Sequence, residues 1–96
     1  MPVKIKGKSF CLTGALSTVN KETGKPLSKG VIGKIIEEQG GTFKKSVVKT
    51  LDYLVTGGEG SDYYINGNKG SKILKAEAQP NTRIITEKEL LEALGY

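Results

Sequence analysis

Apolar residues recur along this chain with two different periods, which alternate from one end of the sequence to the other. Short apolar runs typical of strands occupy residues 8–13, 42–48, 51–56 and 83–85. Apolar positions with helical spacing fall between and after these runs: Val31, Ile32, Ile35 and Ile36, then Ile73, Leu74, Ala76 and Ala78, then Leu90, Leu91 and Leu94. The pattern predicts the order strand, helix, strand, strand, helix, strand, helix.

Residues that favour helix ends flank these helical segments. Ser28 and Ser71 are suited to cap the first and second helices, because a serine oxygen accepts a hydrogen bond from a free backbone N–H group. Gly40 suits the left-handed position that ends a helix, and Pro80 interrupts the second helical segment. Residues 86–89, Thr-Glu-Lys-Glu, have the spacing of a capping box for the last helix.

The alternation of strands and helices predicts an α/β fold with a largely parallel sheet and helices on both faces. A chain of 96 residues is expected to form a single domain, residues 1–96. Two polar segments, residues 15–27 and 57–70, have no periodicity and are interpreted as loops. Both exceed the ~2–6 residues usual for such connections.

Composition excludes several classes of protein. No run approaches the ~20 apolar residues of a transmembrane helix, and the first residues lack the apolar stretch of a signal peptide, so an intracellular protein is expected. The chain has no histidine and one cysteine, Cys11, which lies in an apolar run and is interpreted as a small buried hydrophobic residue. A catalytic cysteine or a zinc site would need partners that the sequence lacks, so neither an enzyme nor a metal or cofactor site is predicted.

The net charge of +5 favours a polyanionic partner if the lysines converge on one place. Ligands of open parallel sheets bind beyond the carboxyl ends of strands, near helix N-termini. Thr13 and Gly14 end the first strand, and Lys29 and Lys72 begin the first two helices. A hydroxyl, a glycine amide and two ammonium groups would together hold a phosphate. The alternative is that Thr13-Gly14 is only a turn and that both lysines are solvated.

Several motifs in order along the chain resemble one domain family. They are residues 7–14 (Gly-Lys-Ser-Phe-Cys-Leu-Thr-Gly), Gly40-Gly41, residues 50–55 (Thr-Leu-Asp-Tyr-Leu-Val), residues 70–76 (Gly-Ser-Lys-Ile-Leu-Lys-Ala), residues 84–86 (Ile-Ile-Thr) and residues 89–91 (Glu-Leu-Leu). This set is similar to the BRCT domain, the breast-cancer C-terminal repeat, over nearly the whole chain. It most resembles the BRCT domains of bacterial NAD-dependent DNA ligases and of the large subunit of the clamp loader replication factor C.

The resemblance implies a four-stranded parallel sheet flanked by three helices and no catalytic activity in the domain. In phosphate-binding members, the hydroxyl residue and glycine that end the first strand and a lysine that opens the second helix hold the anion; these match Thr13, Gly14 and Lys72. In the clamp-loader type, a basic residue at the start of the first helix also helps to bind DNA with a 5′-phosphate. Lys29 matches that position, with lysine in place of arginine. Lys75, one turn after Lys72, is expected to add charge.

Two departures bear on function. Many BRCT domains carry a tryptophan in the last helix, whereas this chain has none and Leu90 lies near that position. The ligase-like subgroup often lacks it too, so tandem domains that read phosphopeptides are poorer guides. The loops at 15–27 and 57–70 are longer than in the compact ligase-like form. Tyr63 and Tyr64 in the second loop either stack on a base or pack locally against the domain.

The sequence thus favours a non-catalytic module of DNA replication or repair that binds DNA through a 5′-phosphorylated end or nick. The alternative is a protein-interaction module that binds a repair partner or a phosphopeptide. No membrane partner or small-molecule substrate is expected. The compartment would be the cytoplasm of a bacterium or the nucleus of a eukaryote.

Overall fold

A computed structural model describes residues 2–14, 23–25, 27–57 and 71–95. Most of the two predicted loops, with Tyr63 and Tyr64, therefore lies outside the described residues. In the described part, the strands are β1 (Ser9–Thr13), β2 (Thr42–Lys44), β3 (Tyr53–Thr56) and β4 (Arg83–Thr86). The helices there are α1 (Lys29–Glu38), α2 (Ser71–Glu77) and α3 (Glu87–Leu94). The predicted element order is confirmed.

The four strands form one parallel sheet in the order β2-β1-β3-β4. Helix α1 joins the neighbouring strands β1 and β2, and helix α2 joins the neighbouring strands β3 and β4. A helix that joins two parallel neighbours runs back against them, so it begins at the carboxyl ends of the strands. The amino ends of α1 and α2 therefore share one edge of the sheet.

The sheet separates two apolar clusters, and side chains alternate between them along each strand. One cluster joins Phe10, Leu12 and Val55 to residues of α1 and α3, such as Ile32 and Leu90. The other contains Cys11, Leu51, Leu54 and Ala76, with the half-buried Val47, Val48, Ile73 and Ile84 packed against it. Helices α1 and α3 thus cover one face of the sheet, and α2 covers the other. The prediction that Cys11 is a buried hydrophobic residue is confirmed, since its relative exposure is 0%.

Local sequence signals set the ends of two helices. Ser28 caps α1 by accepting a hydrogen bond from the Val31 N–H group at 3.2 Å, and Gly40 follows this helix at a φ of +91°. The capping box of α3 is complete: the Thr86 hydroxyl accepts from Glu89 N–H, while the Glu89 carboxylate accepts from Thr86 N–H. The sequence predicted each of these features.

Four predictions at the level of residues differ from the structure. The second strand was expected over 42–48 but ends at Lys44, because the chain turns there to cross β1 and places Val47 and Val48 against the α2 side of the sheet. Ser71 is the first residue of α2 rather than its cap. Val31 and Leu74 were assigned to apolar helix faces, yet they are 43% and 54% exposed.

No helix among the described residues is long and apolar enough to cross a membrane. Nor does that part of the chain bring together three side chains of the types that hold a metal ion.

Candidate anion site at the carboxyl ends of the strands

Three threonines end neighbouring strands in register. Thr13 of β1 lies opposite Thr56 of β3, and Thr56 lies opposite Thr86 of β4. Parallel pairing brings the strand ends to one edge of the sheet, so the three residues form a row there. Because side chains alternate along β1, the Thr13 hydroxyl lies on the same face as Cys11, which is the face covered by α2.

The three hydroxyls are used differently. The buried Thr56 hydroxyl donates to the Ile85 carbonyl at 3.3 Å. The Thr86 hydroxyl accepts from Glu89 N–H at 3.2 Å in the capping box. The half-buried Thr13 hydroxyl has no hydrogen-bond partner among the described residues. Within that part of the chain, Thr13 is thus the member of the row whose donor and acceptor capacity is open to a ligand.

Gly14 allows the chain to turn away directly after Thr13. Its φ of +84° is favourable only for glycine. A Cβ atom at this position would also lie 3.4 Å from the Gly57 nitrogen. The Gly57 N–H group donates to the Thr13 carbonyl at 2.7 Å, so the ends of β1 and β3 are held together. The result is an exposed backbone turn next to the Thr13 hydroxyl, at a residue that has no side chain of its own.

Lys72 reaches this edge from α2. Its Nζ atom lies 3.5 Å from the Leu12 carbonyl oxygen, one residue before Thr13. A single long contact to a neutral carbonyl leaves most of the three-donor capacity of an ammonium group unused by that bond. The half-buried Lys72 side chain is therefore held beside Thr13 and remains able to bind an anion.

Lys29 approaches from the opposite face, as the exposed first residue of α1. The positive charges of Lys72 and Lys29 both act on the Cys11 thiol. Burial raises the pKa of this thiol, and the positive charges of Lys72 and then Lys29 act to lower it. Two helices on opposite faces thus direct positive charge towards the same end of β1. No acidic residue lies in the first turn of α1, so its amino end adds to the positive potential.

The structure brings Thr13, Gly14 and Lys72 together, and Lys29 lies near enough to act on the same strand. Lys75 is exposed on α2, three residues and about one turn after Lys72. Sequence reasoning missed Thr56 and Gly57, which hold the end of β1. The sequence signal for them was a Thr-Gly dipeptide directly after an apolar run, at 13–14 and again at 56–57; a third Thr-Gly, at 23–24, follows no such run.

Comparison with known proteins agrees with this architecture. Residues 4–94 match the BRCA1 C Terminus (BRCT) domain family. The chain is 38% identical over 91 residues to a DNA ligase of Treponema denticola, covering 95% of this chain and 12% of that protein. It is 35% identical over 92 residues to a DNA ligase of Sulfurihydrogenibium azorense, covering 96% of this chain and 11% of that protein. The chain thus spans about a tenth of the length of these curated relatives. With the parallel β2-β1-β3-β4 sheet between its helices and a family match over almost all of its residues, the chain belongs to the BRCT domain family.

Proposed function

We propose that this BRCT domain is a non-catalytic module of DNA replication or repair that binds the 5′-phosphate of a DNA end or nick. The observation that carries the proposal is the pairing of an open Thr13 hydroxyl with the Lys72 ammonium group, which is fixed 3.5 Å from the adjacent Leu12 carbonyl. A phosphate at this edge would accept from the hydroxyl, the turn at Gly14 and Lys72 together. Lys29 would add a second positive charge from α1.

The chemistry of the site supports a phosphate over other ligands. The contributing groups are hydrogen-bond donors or positive charges, and an ammonium group is a compact point charge suited to a phosphate oxygen. The net charge of +5 and the ligase names of the relatives support DNA as the carrier of that phosphate. DNA as the ligand implies a compartment that holds DNA, either a bacterial cytoplasm or a eukaryotic nucleus.

The decisive experiment compares two duplexes that differ only in one 5′-phosphate. Fluorescence anisotropy is measured with a labelled duplex carrying either a 5′-phosphate or a 5′-hydroxyl. Charge-assisted hydrogen bonds contribute about 1.5–3 kcal/mol, so the wild-type domain is expected to prefer the phosphorylated duplex by about tenfold or more. Lys72→Gln should bring the ratio of the two affinities close to one.

Lys88→Gln is the matched control, because Lys88 is an exposed lysine on α3, on the other face of the sheet. It should keep the wild-type ratio. Equal binding of the two duplexes by the wild-type domain would refute recognition of the phosphate.

The second candidate is a protein-interaction module that binds a phosphorylated peptide. Its support is Leu74, a large apolar side chain on α2 that is 54% exposed and is available to pack against a partner protein. A phosphopeptide that displaces the phosphorylated duplex, and does so less well after Leu74→Ala, would favour this candidate. Absence of competition would favour DNA.

A further inference from the structure

Five lysines lie on the face of the sheet that is covered by α2. In the described part of the chain, the elements on this face carry Lys44, Lys45, Lys49, Lys72 and Lys75, and the acidic residues there are Asp52 and Glu77. Lys44, Lys45 and Lys49 follow closely on one another, at the end of β2 and in the connection to β3.

The first of these lysines is placed by the register of β2. Lys44 lies opposite Cys11 in the parallel pairing with β1. The preceding residue, Phe43, packs into the cluster under α1, so alternation turns Lys44 towards the α2 face. Lys44 is exposed at the edge of the sheet, beside the strand that ends at Thr13.

The next two lysines belong to the connection from β2 to β3. This segment crosses β1 on the α2 face, because Val47 and Val48 pack against the apolar cluster there. It is fixed at its far end, where the Asp52 N–H group donates to the Ser9 hydroxyl oxygen at 3.1 Å. The lysines of the segment, Lys45 and Lys49, are exposed.

The two acidic side chains on this face lie away from Thr13 and Lys72. Asp52 is turned to the amino end of β1, where its carboxylate accepts from the N–H group and the hydroxyl of Ser9 at 2.9 and 3.1 Å. Glu77 is the last residue of α2, at the end of the helix away from Lys72. The surface formed by Lys44, Lys45 and Lys49 therefore continues the positive charge of the anion site along β1; we refer to these three residues as the basic face.

We infer that the basic face binds the backbone phosphates of a DNA duplex whose terminal 5′-phosphate occupies the site at Thr13 and Lys72. This inference rests on the proposed function and extends it from the terminal phosphate to the strand behind it. At about 3.3 Å per residue of strand, Cys11 and Ser9 lie about 7 and 13 Å from Thr13. The duplex advances about 3.4 Å per nucleotide, so the basic face meets phosphates about two to four nucleotides from the phosphorylated end.

Substitutions in the basic face and at Lys72 should affect different properties of DNA binding. Protein cations that neutralise backbone phosphates release counterions, so the slope of log affinity against log salt falls by about 0.9 for each phosphate that is no longer neutralised. The triple variant Lys44→Gln, Lys45→Gln, Lys49→Gln should therefore reduce this slope by about two to three. It should lower the affinity for the 5′-phosphate duplex and for the 5′-hydroxyl duplex by the same factor. It should leave the preference for the 5′-phosphate intact. Lys72→Gln should reduce that preference and change the slope by about one.

The control removes the same charge from the opposite face. Lys4, Lys34 and Lys88 are exposed, and the triple variant Lys4→Gln, Lys34→Gln, Lys88→Gln keeps the wild-type basic face. It should keep a salt slope close to that of the wild type. Equal losses in the two triple variants would mean that net charge alone matters and would overturn the inference.

Uncharged methylphosphonate linkages in the DNA show which phosphates contact the basic face. Methylphosphonates at the second to fourth phosphates from the 5′-phosphorylated end should lower the affinity of the wild-type domain for the duplex. They should cause no further loss of affinity in the basic-face variant. The same substitution placed ten nucleotides away should have no effect. An unchanged salt slope in the basic-face variant, with the phosphate preference present, would overturn this inference alone. Loss of the phosphate preference in the wild type would instead refute the proposed function.

Discussion

The two ends of the sheet are both rich in polar groups, and they differ in whether all of these groups have partners among the described residues. At the amino end, Ser9 and Asp52 bind one another through three hydrogen bonds: Ser9 N–H and hydroxyl to the carboxylate, and Asp52 N–H to the Ser9 oxygen. The Asn81 amide and the Thr82 hydroxyl donate to the Leu51 carbonyl at 3.2 and 2.7 Å. At the carboxyl end, the Thr13 hydroxyl has no partner among the described residues, and Lys72 makes one long contact.

The difference separates polar groups that maintain the fold from polar groups available to a ligand. Side chains that satisfy one another contribute to stability, and their removal leaves a partner without a hydrogen bond. Side chains without such partners contribute little to stability and can be changed with a loss of binding alone. The polar groups at the amino end therefore maintain the fold, whereas Thr13 and Lys72 at the carboxyl end form the proposed binding site.

Asp52→Ala should have the largest effect and should act on folding. The carboxylate accepts two hydrogen bonds from Ser9, and bonds to a charged acceptor contribute about 1.5–3 kcal/mol. We expect the free energy of unfolding in urea to fall by about 2 kcal/mol or more. The affinity of the folded domain for phosphorylated DNA should not change. A stable variant that has lost DNA binding would reverse the roles assigned to the two ends.

Thr13→Val should have the next largest effect and should act on binding. Valine keeps the β-branched shape that suits a strand and removes only the hydroxyl. We expect about a tenfold loss of affinity for the 5′-phosphorylated duplex and no change for the 5′-hydroxyl duplex, measured by anisotropy. The free energy of unfolding in urea should stay within about 0.5 kcal/mol of the wild-type value. A clear loss of stability without a loss of binding would mean that Thr13 belongs to the structural group.

Thr86→Ala tests a neighbour in the same row of threonines. The Thr86 hydroxyl belongs to the capping box of α3, and loss of such a cap costs about 1 kcal/mol. We expect that fall in the free energy of unfolding, together with wild-type discrimination between the two duplexes. A loss of phosphate preference would show that the site extends across the sheet to β4.

The smallest predicted effect is a change in the titration of Cys11. Burial raises the pKa of its thiol, while Lys72 and Lys29 act to lower it. Because the folded state holds this proton more tightly than the unfolded state, the thiol stabilises the fold below its unfolded pKa. That contribution is lost as the pH rises through the folded value. In an NMR titration of the Cys11 Cβ resonance, Lys72→Gln should raise the pKa further, and Lys75→Gln should leave it unchanged. Equal shifts in the two variants would contradict the placement of Lys72 beside β1.

The sequence predicted the elements whose signals are local. The N-cap at Ser28, the left-handed Gly40 and the capping box beginning at Thr86 each depend on residues within a few positions, and all three are confirmed. The end of β2 was mispredicted because Val47 and Val48 have strand propensity. In the structure, the chain must cross β1 to reach β3, and this tertiary constraint overrides the local propensity.

The site was predictable only in part, because it depends on contacts between residues that are far apart in the sequence. Thr13 and Lys72 are 59 positions apart in the sequence, and the family resemblance, rather than any local pattern, connected them. The contribution of Thr56 and Gly57 depends on β1 and β3 being neighbours in register, which no local signal specifies. The open state of the Thr13 hydroxyl is likewise a property of the assembled sheet edge.

The brevity of β2 has a consequence for the behaviour of the domain in solution. This strand has three residues and forms one border of the sheet. Such a border presents backbone groups that can pair with another copy, and short length and projecting lysines are two features that discourage this pairing. Lys44 at the end of β2 and Lys45 after it would therefore also oppose aggregation, so their replacement by glutamine should lower the concentration up to which the domain stays monomeric.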